Sequence, residues 1–219
     1  IMGKPADIFA SSMTFLPIWL RNFLAGIMVK IATGPNSWYG LPKVNHKFGA
    51  THPTVNSELL YMIRHGKVKP KPDIEKFDNA TVYFKDGSKE DFDAVIACTG
   101  FVLAHPFFDK SFLNYSSGPV PLYLKMFHPK MDNLFFIGMF QPLGCIWPGA
   151  EQQSKLAALA ISGEWKRPQN IAQLCEREVT NPHMKQLATS RHTITVDFHK
   201  FLRQIKAELR NAKPFKKVA

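Results

Sequence analysis

The chain has 219 residues, of which 45% are hydrophobic, so it can bury a substantial core and is not expected to be disordered. Its formal charge of +11 favours acidic partners, namely phosphate-bearing cofactors, nucleic acid or an anionic membrane surface, without choosing among them. The three widely spaced cysteines form neither a disulfide framework nor a zinc-binding pattern, and the start at Ile1 leads us to expect a piece of a longer polypeptide.

Residues 8–32 are rich in large apolar side chains, but Pro17, Arg21, Asn22 and Gly26 interrupt them. A membrane-spanning helix needs about 20 mostly apolar residues in a row, and this run is broken well before that length. A pair of helices packed on the domain is the favoured interpretation. The alternatives are an interfacial hairpin that makes peripheral membrane contact through residues 8–32, and an interface with a partner protein. We therefore expect a protein that is cytoplasmic or peripheral on a membrane facing the cytoplasm.

The next part of the chain predicts one helix and two strands. The helix is capped by Thr51 or Thr54 and ends at Gly66. Residues 80–84 and 92–98 have the composition of strands and are separated by a turn. The second of these is apolar throughout its centre, so we expect a central, buried strand.

Thr99 and Gly100 follow that strand directly. A glycine at the carboxyl end of a parallel strand is where α/β sheets place ligands, although this signal alone is weak. Residues 102–129 contain many prolines and aromatic residues, so we expect an irregular segment over the surface between two lobes.

Residues 133–153 carry the most informative pattern. The apolar run at residues 134–137 predicts a strand buried on both faces, which ends at Gly138. Pro148 suits the first turn of a helix, and the pattern extends that helix to Gly163. A strand, a glycine loop and a helix N-terminus together form an electropositive nest for an anion or a polar ring edge. On shape alone, an ordinary covered strand followed by a crossover helix is the commoner explanation.

The last part of the chain predicts two more helices, at about residues 170–180 and 196–211. Residues 191–195 between them predict a loop or a short strand. The basic tail at residues 213–219 is expected to be a solvated, frayed terminus.

Several of these segments, taken in order, resemble the flavin-containing monooxygenases, which are FAD- and NADPH-dependent enzymes that oxygenate nitrogen and sulfur. The matching segments are residues 4–7, 40–42, 52–56, 92–101 and 138–144, followed by Pro148 and Glu151. In the fourth segment, Cys98 and Phe101 replace the Ala and Tyr of the family's Ala-Thr-Gly-Tyr motif.

The resemblance implies an α/β fold, a partial two-dinucleotide-binding-domain (FAD/NAD(P)-binding, Rossmann-like) fold with an apolar helical insert. Neither Gly-x-Gly-x-x-Gly fingerprint of such enzymes occurs in this sequence, so the chain resembles their C-terminal half. Residues 1–98 correspond to the C-terminal part of the NADP-binding domain, with the helical insert at residues 8–50. Residues 99–219 correspond to the C-terminal part of the FAD-binding domain with its terminal helices.

The resemblance also implies the chemistry. NADPH reduces the flavin of FAD, and one atom of O₂ passes to a soft nucleophile, a small-molecule amine or sulfide. The implied cofactor-binding residues are Thr99, Gly100, Phe101, Gly138, Gln141, Gly144, Ile146 and Trp147. We expect Gly138 to allow close approach of the flavin, Gln141 and the loop to Gly144 to bind the ring edge, and Ile146 and Trp147 to wall the ring.

Other interpretations stay open at this point. Gln141 satisfying its own loop, Trp147 packing in the core and Thr99 capping a strand are the structural alternatives. No general base and no metal ligand is indicated. A non-oxygenating FAD/NAD(P)H oxidoreductase and a basic membrane-surface module are the rival functions, whereas no motif or basic-aromatic groove pattern indicates nucleic-acid binding.

Overall fold

The computed structural model describes residues 16–52, 56, 58–116, 118–142, 144–184, 186–187, 189 and 192–212. Contacts divide the chain into two compact units, Ile1–Gly100 and Phe101–Ala219. Their assignment to NADP-binding and FAD-binding domains stays a prediction. Several predicted features lie wholly or partly outside the described ranges: residues 4–7, residues 8–15 of the apolar segment, residues 53–55, Leu143, Arg191 and the tail at residues 213–219.

The described part of the apolar segment forms one helix, α1 (Ile18–Thr33), which follows directly after Pro17. Its last turn closes on Gly34, whose N–H donates to the carbonyl of Lys30 at 2.9 Å. None of the helices in the described ranges combines the length and the apolarity that crossing a bilayer requires.

A 3₁₀ turn (Asn36–Tyr39) and a short helix, α2 (Leu59–Arg64), follow in the same unit. The side-chain oxygen of Asn56 accepts hydrogen bonds from the N–H groups of Glu58 and Leu59, at 2.8 and 2.7 Å. Asn56 therefore satisfies two of the amides at the start of α2, a role that the sequence assigned to a threonine.

Three strands form an antiparallel sheet in the order in which they occur, β1 (Ile74–Asp78), β2 (Thr81–Phe84) and β3 (Lys89–Asp91). The predicted strand and turn at residues 80–88 are confirmed, with Val82 and Phe84 buried on one face of the sheet. Strand β1 was not predicted, because its Ile-Glu-Lys-Phe-Asp sequence is fully exposed and shows no apolar face.

The prediction of a central, buried strand at residues 92–98 is wrong. In the described residues strand β3 ends at Asp91. The N–H of Phe92 still donates to the carbonyl of Ala80 at 2.9 Å, but residues 93–98 belong to no described strand. The side chain of Ile96 is 85% exposed. An apolar segment becomes a buried strand when neighbouring strands pair with it and helices cover its faces, and the described residues of the first unit provide neither to this segment.

The described residues of the second unit form three α-helices, α3 (Trp147–Ile161), α4 (Ile171–Thr180) and α5 (Phe198–Asn211). These three helices confirm the three predicted for this part of the chain. The Asp197 carboxylate caps α5, because it accepts a hydrogen bond from the N–H of Lys200 at 2.9 Å. Two short parallel strands, β4 (Gln141–Pro142) and β5 (Thr195–Val196), pair beside them. The main core is shared by the helices and the loops before them: Leu124, Met126, Phe127, Phe140, Leu156, Ala157, Trp165, Ile171, Cys175, Val196, Phe201 and Ile205.

The prediction of a strand buried on both faces at residues 134–137 is also wrong. Within the described part of the chain, Phe135 is the one residue of this run that forms a bridge, an isolated antiparallel bridge with Phe127. Phe136 is buried, but Ile137 is 44% exposed. Because this run has a single bridge on one side, and no described strand pairs with its other side, it does not form a strand of a sheet. The architecture is thus a mixture of helices and small sheets, consistent with the predicted α/β class, and the two-domain Rossmann-like arrangement stays a prediction.

Candidate functional site

The loop from Gly138 to Trp147 contains two glycines with positive φ angles, one at its first position and one in its middle. Gly138 has φ of 78° and Gly144 has φ of 129°, so side chains are strained at both positions. A Cβ atom on Gly138 would meet only the Ile146 Cδ1 atom, at 3.9 Å, among the described atoms. The backbone at Gly138 is therefore open on its Cβ side, where a planar ligand can approach it closely.

Helix α3 begins at the end of this loop. The carbonyl of Ile146 accepts from the N–H groups of Gly149 and Ala150, both at 3.1 Å, and Pro148 has no N–H. No acidic side chain lies in the first turn, so the partial positive charge of the helix N-terminus is not neutralised there. The Trp147 side chain is 75% exposed, so its alternative placement in the core is wrong.

A cavity of about 350 Å³ lies beside Gly138. It is lined by residues 102–105 and 135–139, and most of the lining side chains are apolar. His105 is the polar exception, and its ring packs edge-on against Tyr115 and Phe136. The His105 Nδ1 atom is buried without a hydrogen-bond partner in the described part of the chain. The segment that follows Phe101 therefore shares a cavity with Gly138, and Phe101 itself is fully exposed.

The structure brings together only some of the predicted site residues. Gly138 and Ile146 lie next to each other, and Gly144 and Trp147 flank the same loop. The N–H of Gln141 donates to the carbonyl of Ile194 at 2.8 Å, which places Gln141 in strand β4. Thr99 and Gly100 are exposed residues at the end of the first unit, and their part in a cofactor site stays a prediction.

One residue of this site was missed by the sequence analysis. Gln153 is fully buried on α3, on the same stripe as Gly149 and Leu156, and its side chain accepts from the N–H of Gly138 at 2.8 Å. The sequence did contain a signal for this residue, since Gln153 interrupts an apolar stripe at helical spacing. A buried amide needs hydrogen-bond partners, so its presence on that stripe indicates a specific contact.

The open backbone at Gly138, the uncompensated helix N-terminus and the exposed ring of Trp147 are together suited to contact a planar ring at one edge and one face. They do not include the glycine-rich turn that binds a pyrophosphate, since the sequence has none. No group of three or more His, Cys, Asp or Glu side chains suited to a metal ion occurs within the described ranges.

Comparison with known proteins gives one consistent result. The profile of the family described as flavin-binding monooxygenase-like matches residues 17–217. Flavin-containing monooxygenase 5 of Oryctolagus cuniculus is 34% identical over 222 residues, and that of Rattus norvegicus is 35% identical over 228 residues. Each match covers 97% of this chain and 41% of the relative.

A second kind of relative has a name that states an activity. Dimethylaniline monooxygenase (N-oxide-forming) 2 of Oryctolagus cuniculus is 32% identical over 154 residues, covering 66% of this chain and 29% of that protein. The chain thus spans well under half the length of the curated relatives it matches.

Proposed function

The chain belongs to the flavin-binding monooxygenase-like family, and we propose that it is the C-terminal portion of a flavin-dependent monooxygenase. The proposed enzyme uses FAD, NADPH and O₂ to oxygenate soft nucleophiles at an amine nitrogen or a sulfide sulfur. The family match over residues 17–217 carries this proposal. The open backbone at Gly138 and the N-terminus of α3 support it, because a planar ring can approach both of them.

The bound flavin would supply hydride acceptance and oxygen activation, so the task of the protein is to position the ring and keep water away. In the proposed site, Gly138 and Gly144 let the backbone approach the ring. The apolar side chains of Ile146 and Trp147 cover part of its surface. The N-terminus of α3 would hold a partial positive charge near the ring, and a positive charge stabilises the negative charge that a flavin gains on reduction.

The first test is the flavin content of the intact protein that contains this chain. We expect bound FAD, visible as absorption in the blue, and NADPH oxidation coupled to an oxygenated amine or sulfide product. A colourless protein that takes up no FAD would refute the proposal. Bound FAD with NADPH oxidation but no oxygenated product would instead favour the non-oxygenating FAD/NAD(P)H oxidoreductase.

The 219-residue chain by itself is expected not to oxidise NADPH, because its sequence has no Gly-x-Gly-x-x-Gly turn for either dinucleotide. The measurement is the loss of NADPH absorbance with the purified chain, with and without added FAD. Catalytic NADPH oxidation by the isolated chain would contradict this expectation.

We further propose that α1 makes peripheral membrane contact. Trp19, Phe23, Ile27 and Ile31 are exposed and recur every four residues, so they form one apolar stripe along the helix. Flotation with vesicles containing anionic lipid is the test, and we expect Phe23→Glu to weaken binding. The matched control is Val44→Glu, which changes an exposed apolar residue outside the helix. Equal flotation of both variants and the parent protein would contradict membrane contact through α1.

A further inference from the structure

Gln153 joins two distant parts of the second unit through its buried side chain. Its Nε2 atom donates to the carbonyl of Leu124 at 2.9 Å, and its Oε1 atom accepts from the N–H of Gly138 at 2.8 Å. A peptide N–H only donates and a peptide carbonyl only accepts, so these two partners determine the orientation of the amide. Both ends of the side chain are satisfied, and its exposed fraction is 0%.

Leu124, whose carbonyl accepts the hydrogen bond from Gln153 Nε2, lies in an unusual turn. Leu124 and Lys125 both have left-handed backbone conformations, with φ of 52° and 54°, which are unfavourable for residues with a side chain. The turn nevertheless belongs to the core, because both residues are buried, and the Lys125 Nζ atom lies 3.9 Å from the carboxylate of Glu178 in α4, whose side chain is 9% exposed. Gln153 therefore ties Gly138 to an element anchored in the core.

The bond to Gln153 has a direct consequence for the glycine loop. It engages the N–H of Gly138, so this group faces the core rather than a ligand. The preceding peptide is trans and planar, so the carbonyl of Ile137 points in the opposite direction, away from Gln153. One side chain thus determines which face of the Gly138 loop is turned outward.

We propose that Gln153 is a positioning residue for the flavin. By holding the amide of Gly138 against the anchored turn at Leu124, it orients the open face of the loop toward the cofactor, although it does not touch the cofactor itself. This proposal rests on the proposed function of the chain, because it assumes that the Gly138 loop contacts flavin.

Gln153→Glu in the intact protein tests the proposal. A neutral carboxylic acid retains one donor and one acceptor and so replaces both hydrogen bonds, whereas a carboxylate cannot donate to the carbonyl of Leu124. Burial favours the neutral acid, so titration between about pH 5 and pH 9 should convert one form into the other. We expect near-normal FAD binding at the acidic end and about tenfold weaker binding at the alkaline end, equivalent to the loss of one hydrogen bond.

Two controls separate positioning from general stability. Gln152→Glu adds the same group at the neighbouring, half-exposed position, and we expect no pH-dependent change in FAD binding. Leu156→Ala removes a fully buried side chain from the same helix, and we expect lower stability with an unchanged visible circular dichroism spectrum of the bound flavin. Gln153→Glu should alter the visible circular dichroism spectrum at alkaline pH, because the flavin is then bound in a different orientation.

The outcomes are distinct. If the intact parent protein binds no FAD, the proposed function fails and this inference fails with it. If the parent binds FAD and Gln153→Glu shows the parent's flavin spectrum and affinity at every pH, Gln153 has only a structural role and this inference alone is overturned.

Discussion

Replacing Gly149 by alanine tests the packing that supports the candidate site. A Cβ atom built on Gly149 lies 2.4 Å from Cζ and 2.8 Å from Cε2 of the Phe140 ring, well inside the roughly 3.5–4.0 Å at which carbon atoms pack. Phe140 is only 2% exposed, and its ring centroid is 4.6 Å from that of Phe201. The ring therefore has no free space into which it can turn.

Two opposing effects decide the sign of the change. Alanine favours a helix over glycine by about 1 kcal/mol, whereas overpacking a filled core costs about 1–3 kcal/mol. Because the clash at Gly149 is severe and Phe140 cannot rotate away, we expect the upper part of that range and a net destabilisation of about 1–2 kcal/mol. Gln141 follows Phe140 directly, so displacement of the ring should also disturb the glycine loop and lower FAD retention.

The assay is urea unfolding, monitored by near-ultraviolet circular dichroism of the aromatic side chains. The control is a double-mutant cycle with Phe140→Leu, which removes the ring atoms that clash. Gly149→Ala should cost clearly less in that background than in the parent protein. If Gly149→Ala is as stable as the parent, or costs the same in both backgrounds, the clash with Phe140 does not govern this position.

Two further predictions concern the buried hydroxyl of Tyr115 and the half-buried carboxylate of Glu208. Burial raises the pKa of Tyr115 to about 12, from an ordinary value of 10.0, so its contribution to stability is present below pH 10.0 and is lost as the pH rises toward 12. Tyr115→Phe should flatten this alkaline loss in unfolding measurements, and retention of the parent's slope would contradict it. Glu208 accepts hydrogen bonds from the Tyr123 hydroxyl at 2.8 Å and from Trp165 Nε1 at 2.9 Å. Glu208→Ala should therefore lower the free energy of unfolding by about 2–3 kcal/mol. The control is Glu176→Ala at an exposed position, which should change this free energy by less than about 0.5 kcal/mol. Equal effects of the two variants would contradict a stabilising role of the two hydrogen bonds to Glu208.

The helices of the second unit were predictable because their signals are local. Pro148 lies in the first turn of α3, Gly163 follows its end, and the apolar period of residues 196–211 matches α5. Each signal depends on residues within about one helical turn, so propensity, capping and periodicity suffice to recognise it. The hairpin turn at residues 85–88 was recognisable for the same reason. The family resemblance also came from short motifs in a fixed order, and the comparisons confirm it.

Strand burial was not predictable in this way. Residues 92–98 and 134–137 have the apolar composition of covered strands, yet Ile96 and Ile137 are exposed. Whether such a run is buried depends on strands and helices supplied by other parts of a polypeptide, and composition contains no information about their presence.

The candidate site shows the same division. The sequence by itself determined that a glycine loop precedes a helix that starts near Pro148, because both features depend on neighbouring residues. Only the tertiary structure decided that Gln153 reaches Gly138 across 15 positions and Leu124 across 29 positions. Those partners are brought together by packing between elements, and a buried amide reveals its hydrogen bonds only once the chain has folded around it.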